Sequence, residues 1–346
     1  MKIRSISVEG LFNEFNYDLK LNPDLTFIHS PNGYGKTVLM HMIQSALRGD
    51  TDSLAEVPFS RLDIEFLDGS VLIIENSNGK LLVQMQKNEL ETPVTEEEMD
   101  RLSDIVYLPP DRLTVQKKDG HLVNALEFDA QELSETVRRA KEDNKLKPAA
   151  KDGRKDMTDS DLEFWCKDLK AKLDFMKDAG FEPELPNGVR FPPSRYDLMD
   201  NRESYEDLAY SIDQYIERDY QLAESIIVFK DIVNNIFLNK TVDISPAGKL
   251  IVTMNNGTAL PLSKLSSGET QVMVMFYNIL FHSKPGGIII IDEPEISLHV
   301  SWQQMLGDYF CDVCRVRSIQ MIVATHSPQV IHDKWDLATE LVRNNA

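Results

Sequence analysis

The 346-residue chain carries 56 acidic against 37 basic side chains, a formal net charge of −19. That balance excludes a protein that binds nucleic acid with its whole surface, although a local basic patch or a basic protein partner would be compatible with it. Hydrophobic residues make up 42% and charged residues 27%, enough core for one large α/β domain or two modest ones. Three cysteines (Cys166, Cys311 and Cys314) are too few and too unevenly placed for a disulfide framework, which points to a reducing cytosol.

The chain opens on Lys2 and Arg4 within an alternating strand pattern (Ile3, Ile6, Val8) rather than on a signal peptide. No apolar run reaches the roughly 20 residues of a membrane span, so a cytoplasmic protein with no membrane partner is expected. Residues 15–21 alternate again, and 25–29 form a short buried run ending at Ser30. Helical spacing follows from Lys36 to Leu47. Three short strands at 61–66, 71–76 and 81–86 are separated by Asp68-Gly69 and Asn78-Gly79, pairs suited to hairpin turns. A strand at 104–108 stops at Pro109-Pro110.

After about residue 126 the pattern becomes helical and charged. Residues 147–158, rich in Lys, Asp, Gly and Pro, suggest a mobile loop. Leu162, Trp165, Leu169, Leu173 and Met176 recur at helical spacing, four prolines mark 183–197 as an irregular connector, and a long helix is expected over 203–239. Strand character returns at 241–245 and 249–254. A helix from about 268, a wholly apolar strand at 287–291, a helix at 299–316 and a strand at 319–325 complete the chain. Apolar strands alternating with helices indicate a parallel sheet covered on both faces. The Cys311-x-x-Cys314 pair lies in the apolar pattern of Trp302, Leu306, Phe310 and Val313, as plain helix core.

Four motifs carry chemistry. The first is "FIHSPNGYGKTVL" (27–39), a strand, a glycine-containing turn and a helix start. In that context backbone N–H groups and the helix N-terminus cradle phosphate oxygens. Ser30, Asn32, Gly33, Gly35, Lys36 and Thr37 are its candidate contacts. Lys36 supplies a point charge to the β/γ-phosphates and Thr37 a hydroxyl to Mg²⁺. Ser30 stands where such loops have glycine, which a small residue tolerates if φ stays negative. The second, "IIIIDEPEISLH" (288–299), places Asp292 and Glu293 at the carboxyl end of a buried strand. Asp292 is the candidate Mg²⁺ ligand, and Glu293 the candidate base or orienter for water. The third, "LSSGETQ" (265–271), sets Ser266 at a helix N-terminus near Gly268, either as an anion site or simply as a helix cap supplied by Ser266 or Ser267. The fourth, "VATHSPQVI" (323–331), puts His326 directly after an apolar strand, where it can reach a γ-phosphate or serve a structural role.

In this order, over residues 1–112 and 240–346, the motifs resemble the head of ABC-type ATPases. The resemblance implies an α/β fold with a mixed or parallel sheet flanked by helices, an antiparallel β subdomain and a helical insertion. It divides the chain into 1–126 and 241–346, the two halves of the head, around the insertion 127–240. ATP and Mg²⁺ are the implied cofactors, with ATP sandwiched between the loop of one subunit and Ser266 and Gly268 of another, in a dimer of heads or a higher ring. Lys36, Glu293 and His326 are the implied catalytic residues. Ser267 and Glu269 depart from the family's LSGGQ signature.

"DEPEISLH" and the opening "ISVEGLFNEFNYDLKLNP" are similar to the SMC, RecF and OLD branch. "VYLPPDR" (106–112) falls where that branch has its Q-loop region, so Arg112 or Gln116 is a candidate γ-phosphate or metal sensor; the alternative for Arg112 is a surface salt bridge. The insertion lacks the sustained heptads of an SMC coiled coil and suits a lobe for a partner or self-assembly. The chain ends 20 residues after His326, where OLD nucleases continue into a TOPRIM domain, so a separate effector is expected. The whole is similar to ATPase subunits of two-component antiphage systems such as PARIS, whose partner carries a TOPRIM-like nuclease. Two rivals stand beside this reading: a RecF-like DNA-repair ATPase, which the charge does not favour, and a weakly hydrolysing ATP-dependent scaffold that sequesters its partner.

Overall fold

The computed structural model describes residues 1–342 except 78, 89, 117–119, 143–144 and 151–155. Asn78 of the second turn pair and the centre of the expected loop at 147–158 therefore lie outside the described residues. The chain forms two compact units, Met1–Ala125 with Ser266–Ala346, and Leu126–Leu265.

The first unit holds two large sheets, besides a two-stranded pairing of Thr114–Gln116 with Leu122–Asn124. One is antiparallel and six-stranded, ordered Phe15–Lys20, Ile3–Leu11, Arg61–Phe66, Val71–Ser77, Lys80–Lys87, Leu90–Pro93. Its alternation buries Ile3, Ile6, Val8, Leu62, Ile64, Leu72 and Ile74 on one face. The other sheet is parallel and five-stranded, ordered Ala338–Glu340, Leu25–His29, Gln320–Thr325, Ile288–Asp292, Ile105–Leu108. Every residue from Ile288 to Asp292 and from Gln320 to Thr325 is buried, as a strand covered on both faces requires. Helix Lys36–Arg48 presents Leu39, Met40, Met42, Ile43, Ala46 and Leu47 to the core shared with both sheets. Gln320, fully buried, stitches the sheets together. Its Oε1 accepts from Ile3 N at 2.7 Å, and its Nε2 donates to the carbonyls of Ile3 (2.7 Å) and Asn22 (2.8 Å). A buried amide with every partner in place gains its hydrogen bonds without a desolvation deficit.

The second unit comprises helices Ala125–Glu142, Asp159–Asp178 and Arg195–Ile236 and a three-stranded sheet (Lys240–Ile244, Leu250–Met254, Ala259–Leu260). Trp165 meets Tyr210 and Phe175 meets Tyr220, with ring centroids 4.8 and 5.4 Å apart. The long helix starts at Arg195 rather than 203. Ser194 and Asp197 form a reciprocal capping box, and Asn201 departs from helical geometry at φ −139°. The hairpin beginning at Lys240 belongs to this unit, whereas the sequence reading began the second half of the head at 241. Asn234 explains this: its side chain bonds the N–H and C=O of Val242 at 2.7 and 2.9 Å, in the manner of a pairing strand.

Strands Thr114–Gln116, Leu122–Asn124 and Ala338–Glu340 were not anticipated, since three residues are too short to show alternation. Among the described residues no helix is long and apolar enough to cross a membrane. The three cysteines are free. Cys314 is core in helix Val300–Arg317, where burial pushes its thiol up to about 12, away from reactivity.

Candidate functional site

Strand register decides where the site forms. His29 pairs with Thr325, Ala324 with Asp292, and Ile291 with Leu108. Four segments distant in sequence thus leave the same carboxyl edge of the parallel sheet: Ser30–Gly35, Pro109–Arg112, Glu293–Glu295 and His326–Ser327. Ligands of open α/β sheets bind at such an edge.

The loop from Ser30 turns through Gly33 and Gly35, at φ 82° and 74°, left-handed values that glycine adopts freely. Ser30 is absent from the positive-φ positions, so its side chain costs no backbone strain. The Tyr17 hydroxyl donates to the Tyr34 carbonyl at 2.7 Å and pins the loop. Lys36 opens the helix and is 5% exposed. Its ammonium donates to the Ser30 carbonyl (2.8 Å), Ser30 Oγ (3.0 Å) and the Pro31 carbonyl (3.3 Å). Burial lowers its pKa, against the opposing pull of Glu293, Asp292 and Glu295.

His326 Nδ1 lies 3.1 Å from Lys36 Nζ and 3.1 Å from the Ser30 carbonyl oxygen, and its Nε2 lies 3.1 Å from Glu293 Oε1. A proton on Nε2 suits this arrangement: the lysine donates to Nδ1, and the ring donates to the carboxylate. Lys36, His326 and Glu293 therefore form one hydrogen-bonded chain. A cavity of about 430 Å³ opens beside it, lined among others by Ser30, Pro31, Asn32, His326, Ser327 and Trp335.

Asp292 is fully buried, and among the described residues neither carboxylate oxygen has a hydrogen-bond partner. Burial raises its pKa; the nearby Thr37 hydroxyl, short of ordinary hydrogen-bond geometry, partly offsets this. Such an orphaned carboxylate has the chemistry of a cation ligand. Among the described residues no group of three or more His, Cys, Asp or Glu side chains could hold a metal. A cation at Asp292 and Thr37 would thus need further oxygens from a ligand, which is the usual situation of Mg²⁺ with phosphates.

Ser266 is the N-cap of helix Ser267–Tyr277. Its Oγ accepts from Glu269 N (3.3 Å) and its N–H donates to Glu269 Oε2 (2.8 Å). Glu269 at the signature's glutamine position thereby completes a capping box. Gly268 is buried, and a Cβ there would stand 2.5 Å from the Ser297 carbonyl oxygen, too close for any side chain without a shift. Arg112 is 4% exposed and bonds backbone carbonyls and Gln271, so it is not a surface salt bridge. Gln116 lies on an exposed part of a short strand.

Two residues escaped the sequence reading. Glu295 Oε1 accepts from Thr325 Oγ1 (2.8 Å), His326 N (2.7 Å) and Ser327 N (3.0 Å), fixing the segment that carries His326. Gln271 accepts from Arg112. Both lie within quoted motifs, but only strand register reveals their partners.

A family model described as an AAA ATPase domain matches residues 195–331, which include the segments of Ser266, Asp292 and His326 but not the Ser30–Thr37 loop. The retron Ec83 probable ATPase of Escherichia coli is 37% identical over 94 residues, 24% of this chain and 17% of that protein. The chain thus matches about a sixth of that relative's length. Among solved structures, the Smc head domain with an extended coiled coil bound to the C-terminal domain of ScpA, from Pyrococcus furiosus, is 12% identical, with a TM-score of 0.52 over 99% of this chain and 94% of that one. An SmcHead bound to the C-winged helix domain of ScpA gives 12% identity and a TM-score of 0.51, covering 100% and 95% of the two chains. At such identity the likeness establishes the fold alone, a mixed α/β fold similar to that of Smc head domains, with parallel and antiparallel sheets flanked by helices.

Proposed function

We propose that this chain binds ATP with Mg²⁺ and hydrolyses it, as an ABC-type ATPase head of the SMC and RecF kind. The observation that carries the reading is the orphaned Asp292 carboxylate beside a glycine-bearing loop whose lysine is joined through His326 to Glu293. Lys36 exchanges its contacts with Ser30 and Pro31 for phosphate oxygens, while Gly33 and Gly35 let the backbone approach them. Thr37 and Asp292 would hold Mg²⁺, which neutralises charge on the phosphates. Glu293 accepts the proton of the attacking water. His326 reports phosphate occupancy to Glu293, because it touches both Lys36 and that carboxylate.

The finer reading is a cytoplasmic ATPase that assembles through shared nucleotide, with Ser266 and Gly268 facing the nucleotide of a second copy, and that governs a separate effector in antiphage defence. The likeness to a retron ATPase favours the defence setting, and the ScpA-bound Smc heads favour a protein partner.

The test compares two variants. Lys36→Ala should lose ATP binding while staying folded. Glu293→Gln should bind ATP but hydrolyse it about 10²-fold more slowly. Undiminished ATP affinity in folded Lys36→Ala would remove the nucleotide assignment.

A further inference from the structure

The candidate base sits on strained backbone. Glu293 adopts φ 48°, a left-handed value disfavoured for a side chain of its size, which persists only where surrounding structure enforces it. Both of its main-chain polar groups are held. Its N–H donates to the Ala324 carbonyl at 2.8 Å, and its carbonyl accepts from Arg112 Nη2 at 2.9 Å.

Arg112 does more than close that one bond. Its Nη1 donates to the carbonyls of Asp292 (3.1 Å) and Pro109 (2.9 Å), and its Nε donates to Gln271 Oε1. One buried guanidinium therefore joins the turn after Ile105–Leu108, the helix Ser267–Tyr277 and the end of strand Ile288–Asp292. Burial of this cation lowers its pKa to about 10, and the charges of Glu295, Asp292 and Glu293 act in the opposite direction. Among the described residues its hydrogen bonds go to main chain and Gln271, so the group acts on the backbone of the site. The planar fork matters. Three nitrogens aimed in different directions reach acceptors on three separate segments, which the single point donor of a lysine ammonium cannot span.

We infer that Arg112, with Gln271 as its anchor, is a positioning residue that holds the Glu293 backbone in its strained conformation and so aims the carboxylate, an inference that rests on the ATPase reading above. The sequence-based expectation for Arg112, direct contact with nucleotide or metal, predicts a different kinetic signature. A nucleotide contact that is lost weakens ATP binding. A base that is misaimed lowers turnover with binding preserved, and displacement by about 1 Å can cost on the order of 10²-fold.

The experiment measures ATP affinity and single-turnover hydrolysis in Arg112→Ala, Arg112→Lys, Gln271→Leu and Gln271→Glu, and in Arg112→Ala combined with Glu293→Gln. Hydrolysis should fall by about 10- to 100-fold in both Arg112 variants, with ATP affinity within about threefold of wild type. Gln271→Leu should fall in the same sense, and Gln271→Glu, which keeps an acceptor for Arg112, should lose less than Gln271→Leu. Added to Glu293→Gln, the Arg112 change should cause no further loss, because both act through one carboxylate. A parallel loss of affinity, equal rates in the two Gln271 variants, or a multiplicative loss in the double variant would overturn the inference. A wild-type rate in Glu293→Gln alone would instead overturn the assignment of Glu293 as base, and with it the inference. If Arg112→Ala does not fold, the Gln271 pair and Arg112→Lys decide the matter on the same criteria.

Discussion

Ser30 is the residue at which the loop departs from the glycine pattern, and its hydroxyl is in use. It accepts from the Lys36 ammonium at 3.0 Å and donates to the Pro31 carbonyl at 3.2 Å. The same ammonium also binds the Ser30 and Pro31 carbonyls, so deleting the hydroxyl leaves it anchored. Ser30→Gly should therefore bind ATP within about threefold of wild type by equilibrium titration. A loss of about tenfold, the worth of one good hydrogen bond, would make the hydroxyl a phosphate contact in its own right.

Helix Ser267–Tyr277 shows how a motif glycine can be required by its own chain. Gly268 packs against the Ser297 carbonyl, and Ser297 itself sits at φ 63°. Gly268→Ala should destabilise the protein by about 1–3 kcal/mol, as overpacking does, read as a lower urea midpoint without ATP. Unchanged stability would leave the glycine to a role toward ligand. In the other unit, helix Ala125–Glu142 buries Asp129 to 3% exposure, with Oδ2 unpartnered among the described residues. Burial first, and Glu132 second, raise its pKa to about 7. The sign follows from proton counts. Between about pH 4 and 7 the unfolded chain has released this proton and the folded chain retains it, so rising pH disfavours folding through that window. Asp129→Asn, which cannot ionise, should gain on wild type by roughly 1.4 kcal/mol per pH unit across it, with no further gain above pH 7. Parallel pH profiles of the two proteins would refute this.

At the scale of the whole molecule, the site of the first unit is a product of convergence. Lys36, Arg112, Gln271, Glu293 and His326 come from segments up to 290 positions apart along the chain, as for Lys36 and His326. If the proposed ATPase assembles through shared nucleotide, slowing hydrolysis should trap the assembly. Glu293→Gln with ATP and Mg²⁺ should sediment at twice the monomer mass or more and return to monomer when nucleotide is removed. An unchanged mass with ATP bound would argue for a head that works alone.

Local pattern made much of this molecule readable from its residues. The parallel sheet was legible in the unbroken apolar runs at 287–291 and 319–325, and the antiparallel sheet in the alternation of Ile3, Ile6 and Val8. The candidate roles of Lys36, Thr37, Asp292 and Glu293 were legible because strand, turn and helix start are encoded within a dozen neighbouring residues. Partners across the fold were not. Nothing near Arg112 in the chain announces that it holds the Glu293 carbonyl, and nothing near Glu295 announces that it holds the His326 segment. The hairpin at Lys240 is tied to helix Ala125–Glu142 by Ser134 and Lys141, which donate to the carbonyls of Ala247 and Pro246 more than 100 positions away. These outcomes were decided by tertiary structure. Periodicity says which face of an element is buried, but strand order and register determine which distant donor meets which acceptor once water has been excluded.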